Sequence, residues 1–410
     1  MKFLRKLFGS AKAEPAPAER AQDLFAQELL AALRTAAPGL APTYDPEAFE
    51  LQCPGAGKGQ RIFLHNMYAQ YCRTPETECG DLFGGFVGFI LDSQAPLPAG
   101  NVALDALLPV LRARADLLVT MPEDVPFPYQ NASRPFCETM LLMLAIDTPT
   151  TIALVNDETL AELGISFDDA IGLAIAQLDE RGNHNFGQLG DGTFVTTCGD
   201  HYDASRILIP DLVAQLPVRG NPVAIVQARS AVLITGSEDP EGLATIADYA
   251  LQDFADNERA ISLTPIELID GTWRLFAVED HHPVSLRNLR SHQSLWSYGV
   301  TKDRLQARLG EEIFVANPLV FANASDGLHF TVASWADGVT TACPITDAII
   351  LQETEAFPSI RRRFDDVIHF LPDIVRAGDT DYPPRVILPA ALDDDARREL
   401  TDDYPEFNPS

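Results

Sequence analysis

Phe194-Val195-Thr196-Thr197-Cys198-Gly199-Asp200-His201-Tyr202-Asp203-Ala204-Ser205-Arg206-Ile207-Leu208 is the stretch on which the reading of this chain turns. Phe194 to Thr197 alternates as a strand does. From Ala204 to Leu216 the apolar residues Ala204, Ile207, Leu208, Leu212 and Leu216 share one helical face, and Pro217-Val218-Arg219-Gly220 ends the run. Strand signals follow at Ala224 to Val226 and Ala231 to Ile234. A helix is expected from Glu241 to Phe254, then strands at Ile261 to Leu263 and Trp273 to Val278 around an Asp270-Gly271 turn. On the N-terminal side lie a strand from Thr151 to Asn156, helical periodicity after Asp157 and Thr159, a helix from Phe167 to Leu178, and a Gly- and Asn-rich loop from Arg181 to Asp191. Strands joined by short turns and interrupted by helices predict an α+β class, built as successive small two-layer units of mainly antiparallel sheet packed with helices.

The flanking regions extend the pattern. Leu24, Phe25, Leu29, Leu30 and Leu33 recur at three- and four-residue spacing and predict a helix over Ala21 to Thr35. Phe49 to Leu51 and Arg61 to Tyr71 read as strands around a glycine-rich turn, Cys53 to Gly59. Leu82 to Leu91 reads as a helix weakened by Gly84, Gly85 and Gly88. A proline-rich passage spans Pro122 to Pro135, followed by an apolar run from Met140 to Ala145. The C-terminal part carries a helical run ending near Leu309, strand-like runs at Ile313 to Phe321, Leu328 to Trp335 and Ile345 to Leu351, and a helix from Ser359 to Leu371. Ala231 to Ile234 and Ala348 to Leu351, each followed by an acidic turn and a helical pattern, suggest an internal echo. The expected domains are a basic tag and linker (1–20), a first α+β domain (21–148), a central α+β domain (149–280), a C-terminal α+β region (281–378), and an acidic, proline-broken tail (379–410) ordered only in part.

Charge narrows the partners. With 59 acidic residues against 30 basic ones the net charge is -29, which would repel a phosphate backbone, so nucleic acid is not an expected partner. Five of the basic residues are lysines, and genome composition accounts for so arginine-rich a chain. The six cysteines, Cys53, Cys72, Cys79, Cys137, Cys198 and Cys343, form no C-x-x-C pair and read as reduced thiols of a cytoplasmic protein. Met1 to Phe8 sets Phe3, Leu4, Leu7 and Phe8 against Lys2, Arg5 and Lys6, the pattern of a short tag for weak membrane-surface contact, and Glu14 to Glu19 reads as an extended linker.

The strand, loop and helix start around Tyr202-Asp203-Ala204-Ser205-Arg206-Ile207-Leu208 resemble those of the bacterial YtpQ family, an uncharacterised family. Arg61 to Tyr71, Leu108 to Arg112 and Pro222 to Gly236 also look like family segments, so the resemblance covers roughly residues 21–279. It implies that residues 149–280 form a YtpQ-like domain. It implies no activity, and the part after His281 lies beyond it.

The chemistry on offer is concentrated in one loop. Cys198, His201, Asp203 and Arg206 could form a catalytic group if a helix N-terminus activated the thiol. The alternative is structural, with Asp200 or Asp203 capping the helix, Arg206 pairing with a nearby carboxylate and Cys198 ending a buried strand. His184, His201, His281 and His282 lack metal-ligand spacing, and Gly55-Ala56-Gly57-Lys58-Gly59 lacks the first glycine and the Ser or Thr of a phosphate loop, so neither metal nor cofactor is expected. The sequence therefore predicts a binding or adaptor protein whose partner is another protein, with a hydrolase or transferase at Cys198, His201 and Asp203 as the alternative.

Overall fold

The spacing of Phe25, Leu29 and Leu33 does produce a helix, α1 (Pro17–Ala36), in the computed structural model, which describes residues 17–46, 48–54, 60–92, 98–116, 132–148, 152–254, 259–354, 357–371, 375–377 and 382–408. The N-terminal tag, the Gly55 to Gly59 turn and most of the proline-rich passage fall outside these residues. The chain folds as two compact units, one made of residues 1–99 with 147–153, the other of 100–146 with 154–410.

In the first unit α1 lies with a three-stranded antiparallel sheet, β1 (Thr43–Asp45), β2 (Glu50–Cys53) and β3 (Gln60–Phe63). Two further helices follow, α2 (His65–Arg73) and α3 (Cys79–Asp92). The strand expected from Arg61 to Tyr71 therefore stops at Phe63. Leu64, Tyr68 and Tyr71 then follow helical spacing, and Phe25 sits 5.4 Å from the Tyr68 ring and 5.2 Å from Tyr71. Tertiary packing against that phenylalanine settles the switch of period. Gly84, Gly85 and Gly88 do not break α3.

The second unit opens with a short helix α4 (Asn101–Asp105) and a sheet of β4 (Leu107–Ala113), β5 (Ser133–Pro135) and β6 (Met140–Asp147), antiparallel throughout. After β7 (Ile152–Leu154), α5 (Asp157–Leu163) and α6 (Phe167–Glu180) begin at Asn156 and Ser166, whose side chains accept the free N–H groups of Thr159 and Asp169. Phe167, Ala170 and Ala174 of α6 bury against Leu107, Leu144 and Ile146.

A six-stranded antiparallel sheet forms the centre of this unit. Its strands are β8 (Phe186–Gly190), β9 (Thr193–Thr196), β10 (Pro222–Ala228), β11 (Ala231–Gly236), β12 (Ile266–Ile269) and β13 (Thr272–Leu275), in the order β13-β12-β10-β11-β9-β8. The expected Arg181 to Asp191 loop thus contains a strand, because Phe186 and Gln188 pair with Thr196 and Phe194 despite the glycines. The helix expected from Ala204 to Leu216 is two pieces, a 3₁₀ helix (Ala204–Leu208) and α7 (Pro210–Ala214). Pro210 has no N–H to give and holds Ile209 out of the helical region, which divides the run.

Strand alternation feeds two cores. Val223 and Ile225 of β10 join Leu243, Ile246 and Ala250 of α8 (Pro240–Phe254) and Leu286 and Leu289 of α9 (Val284–Leu309). Ala224 and Val226 join Ile207, Leu208, Leu111 and Met140 on the opposite face. Both faces of the hairpin are covered, which explains why its two strands read as nearly continuous apolar runs.

Beyond α9 two mixed four-stranded sheets form, from β14 (Phe314–Val315), β15 (Leu319–Ala322), β16 (His329–Trp335), β17 (Thr341–Pro344), β18 (Ala348–Leu351), β19 (Ile360–Arg363), β20 (Val375–Ala377) and β21 (Arg385–Leu388). The expected helix from Ser359 becomes strand β19 followed by α10 (Phe364–Phe370), since Ile360 to Arg363 complete the ladder of β18. The internal echo fails for the same reason, because β18 is followed by a strand and not by a helix. The tail is packed rather than loose. Its strand β21 pairs with β17 and β20, and Leu400 of α11 (Asp394–Asp402) is fully buried beside Trp335 and Ile349.

Truncating a buried leucine costs about 2–5 kcal/mol. Leu400→Ala should lower the unfolding free energy by that amount in urea titration. A loss indistinguishable from that of a surface substitution would show that the tail does not complete the core.

Candidate functional site

Two places combine polar side chains with a defined geometry, and both lie in the second unit. The first is the loop between β9 and the 3₁₀ helix. Asp203 is buried and its carboxylate accepts the backbone N–H of Cys198 at 2.7 Å and that of Gly199 at 3.2 Å. Asp200 accepts the N–H of Tyr202 at 3.0 Å through one oxygen and Arg206 at 2.6 Å through the other. Neither carboxylate caps the helix that follows, which corrects the expected role. They fold the loop back on itself, with Gly199 and His201 at φ 67° and 68° making the turn.

Arg206 is 0% exposed, and besides Asp200 its guanidinium donates to the carbonyls of Tyr202 and Gly182. Its three bonds tie the 3₁₀ helix to the Asp200–Tyr202 loop and to Gly182. Trp273 adds a fourth tie, its indole N–H donating to the Ile207 carbonyl at 2.7 Å.

The candidate catalytic residues are therefore placed as follows. Cys198 is buried, burial pushes its thiol pKa up, and its sulfur donates to the Asn185 carbonyl. His201 is exposed on the turn. Among the described residues no hydrogen bond joins Cys198 to His201, and Asp203 is engaged by backbone amides. A raised thiol pKa is the opposite of what a nucleophilic cysteine needs, since the thiolate is the reactive form. Among the described residues no three His, Cys, Asp or Glu side chains are grouped to hold a metal ion, and no helix is long and apolar enough to cross a membrane.

The second place is a cleft of about 630 Å³ beside α9. Its inner wall is a chain of committed polar groups. Gln293 accepts the Leu263 N–H at 2.6 Å and donates to Ser297 at 2.8 Å, while Ser297 also bonds the Tyr382 hydroxyl. Tyr298 donates to the Pro384 carbonyl at 2.6 Å and accepts the Ile345 N–H at 3.0 Å. Thr139 bonds Ser262 and Thr264. At the rim two arginines are already paired, Arg287 with Asp280 at 3.0 Å and Arg290 with Asp347 at 2.7 Å. Burial raises the Asp347 pKa, but the Thr331 N–H and Arg290 outweigh it and hold the carboxyl below its usual range.

Sequence reading missed this cleft entirely. Its wall comes from segments near 139, 264, 297, 345 and 382, none carrying a motif, and only the fold assembles them. Comparison with protein-family models, with curated proteins and with solved structures gave no match.

Two predictions follow from these geometries. Asp200→Asn leaves the buried Arg206 charge without its counterion, which costs about 3–5 kcal/mol, and chemical denaturation should show a loss of that order; an unchanged midpoint would mean that the pair contributes nothing. The second concerns pH. Burial pushes the Tyr298 and Tyr382 phenols from 10 up to about 12. In the unfolded chain they ionise at the lower value, so the folded state keeps the extra protons between the two values, and stability falls as pH rises through that window. Urea midpoints taken on both sides of pH 10 should decline on the alkaline side, and Tyr298→Phe with Tyr382→Phe should flatten the decline.

Proposed function

We propose that this chain is a protein-binding module, and that the cleft beside α9 receives an extended segment of a partner protein. The observation that carries this reading is the contrast between the cleft's wall and its mouth. Inside, most hydroxyls and amides are bonded to one another, the two arginines at the rim have carboxylate partners, and of the remaining ionisable groups in the lining, Glu138 and His329, the histidine is bonded to His292. At the mouth, Leu275 is 53% exposed, with Val278 and Ile345 also exposed beside it. Exposed apolar side chains around a polar-lined groove are the usual mark of a partner surface.

Leu275 ends β13, an edge strand of the six-stranded sheet. An edge strand offers unpaired backbone groups to an extended peptide, and pockets beside it select the side chains. A mostly uncharged segment with alternating apolar residues fits both features. The residues that resemble the YtpQ family fall on the central sheet and the loop of Arg206, so kinship with that family is part of the same proposal and adds no activity to it. A hydrolase or transferase at Cys198, His201 and Asp203 draws no support from the buried thiol and the occupied carboxylate.

Leu275→Lys and Ile345→Lys place charges at the mouth without entering the core. A partner captured by the tagged full-length chain should be recovered roughly tenfold less with either variant, while Leu24→Lys, on the exposed side of α1, should retain it. Equal recovery with all three would sink the reading.

A further inference from the structure

Among the described residues, one carboxylate of the cleft beside α9 has neither a hydrogen bond nor an ion pair, that of Glu138. The groups around the cleft that could satisfy it are occupied. Arg287 is paired with Asp280 and Arg290 with Asp347. The Tyr298 hydroxyl donates to the Pro384 carbonyl, the Tyr382 hydroxyl is bonded to Ser297, and His329 is bonded to His292 at 3.0 Å. Arg114 stands over the Tyr382 ring at 4.5 Å and forms no ion pair with Glu138.

The position of this carboxylate is held by its neighbours. Glu138 lies in the turn that joins β5 to β6, where the N–H groups of Phe136 and Cys137 donate to the Met140 carbonyl. Thr139, the next residue, is buried, and its hydroxyl is bonded to Ser262 at 2.7 Å and to Thr264 at 3.3 Å, which pins the turn to the segment leading into β12. Burial raises the Tyr298 and Tyr382 phenols, and the negative charge of Glu138 acts on both in the same direction. In the free chain Glu138 is exposed, so water solvates it.

We infer, resting on the cleft's role as a groove for an extended partner segment, that this segment carries a lysine or arginine side chain among its apolar residues and that the basic group pairs with Glu138. A segment filling the cleft takes water from the carboxylate, and an ionised group so stripped is costly unless a cation and hydrogen-bond donors replace the water. A neutral segment leaves that cost unmet, and an acidic residue adds repulsion to it. The charge of the whole chain acts in the same sense, since -29 draws cationic partners and turns acidic ones away. Leu275, Val278 and Ile345 at the mouth supply apolar contact, and Glu138 supplies the selection.

The test is selection of a random peptide library displayed on phage against the immobilised full-length chain, run in parallel on Leu275→Lys, Glu138→Gln and Glu28→Gln, the last at an exposed position of α1. The expected motif is extended and apolar with Lys or Arg at one position, enriched on the unaltered chain and on Glu28→Gln and depleted on Leu275→Lys. On Glu138→Gln the apolar positions should persist while the basic one disappears. For a peptide so selected, replacing its basic residue with Gln should weaken binding to the unaltered chain roughly tenfold and leave binding to Glu138→Gln unchanged. An apolar motif with no basic position, or a basic position that Glu138→Gln retains, overturns the pairing while the groove stands. No motif at all, or one that Leu275→Lys retains in full, overturns the groove and the pairing with it.

Discussion

The second unit depends on the two-sided burial of the β10–β11 hairpin. Val223 and Ile225 commit one face to α8 and α9, and Ala224 and Val226 commit the other to Ile207, Leu208, Leu111 and Met140. A one-residue slip of either strand would exchange the two sets, setting small alanines against the helices and branched side chains against the 3₁₀ turn. Register is thus fixed from both sides. Gly236 and Gly242 secure the end of β11, since a Cβ at Gly236 would collide with the Arg219 backbone and one at Gly242 with Thr235. On its C-terminal side α8 leaves one turn after β11, and on its N-terminal side the 3₁₀ helix and α7 connect it to β9, its neighbour in the sheet.

Arginine does the equivalent work where the chain is irregular. Arg362 donates to the carbonyls of Leu400 and Thr401, Arg385 to those of Ala316, Ala342 and Tyr298, and Arg397 to those of Gln352 and Pro358. Each fork satisfies several loop carbonyls that no ladder reaches, and a lysine has neither the planarity nor the number of donors to replace it. The scarcity of lysine, which composition alone assigns to the genome, thus has a structural counterpart in the folded chain.

Periodicity carried most of the α+β class into view, because Phe25 to Leu33, Phe167 to Leu178 and Glu241 to Phe254 bury one face each and their spacing says so. It failed where long-range pairing overrode local pattern. Nothing near Ile360 announces that β18 will claim it, and nothing near Phe186 announces β9. The loop from Cys198 to Arg206 was legible as a marker, and its Arg206 ion pair was expected. Its carboxylates were assigned the wrong amides, since a cap and a folded-back loop use the same residues and differ only in which N–H groups lie within reach. The cleft left no trace, because its inner wall is made of ordinary Ser, Thr, Tyr and Gln residues brought together from segments distant in the chain.

The position of β21 has a consequence for how the chain is made. It lies in the interior of its sheet, between β17 and β20, yet it is supplied by residues 385–388. During synthesis from the N-terminus the six-stranded sheet can close long before that segment emerges, whereas β17 must wait with an open edge and an uncovered Cys343. A nascent chain therefore presents an adhesive strand for the time it takes to translate the roughly forty residues between β17 and β21, and the late strand and the helix after it act as the lid that ends this exposure.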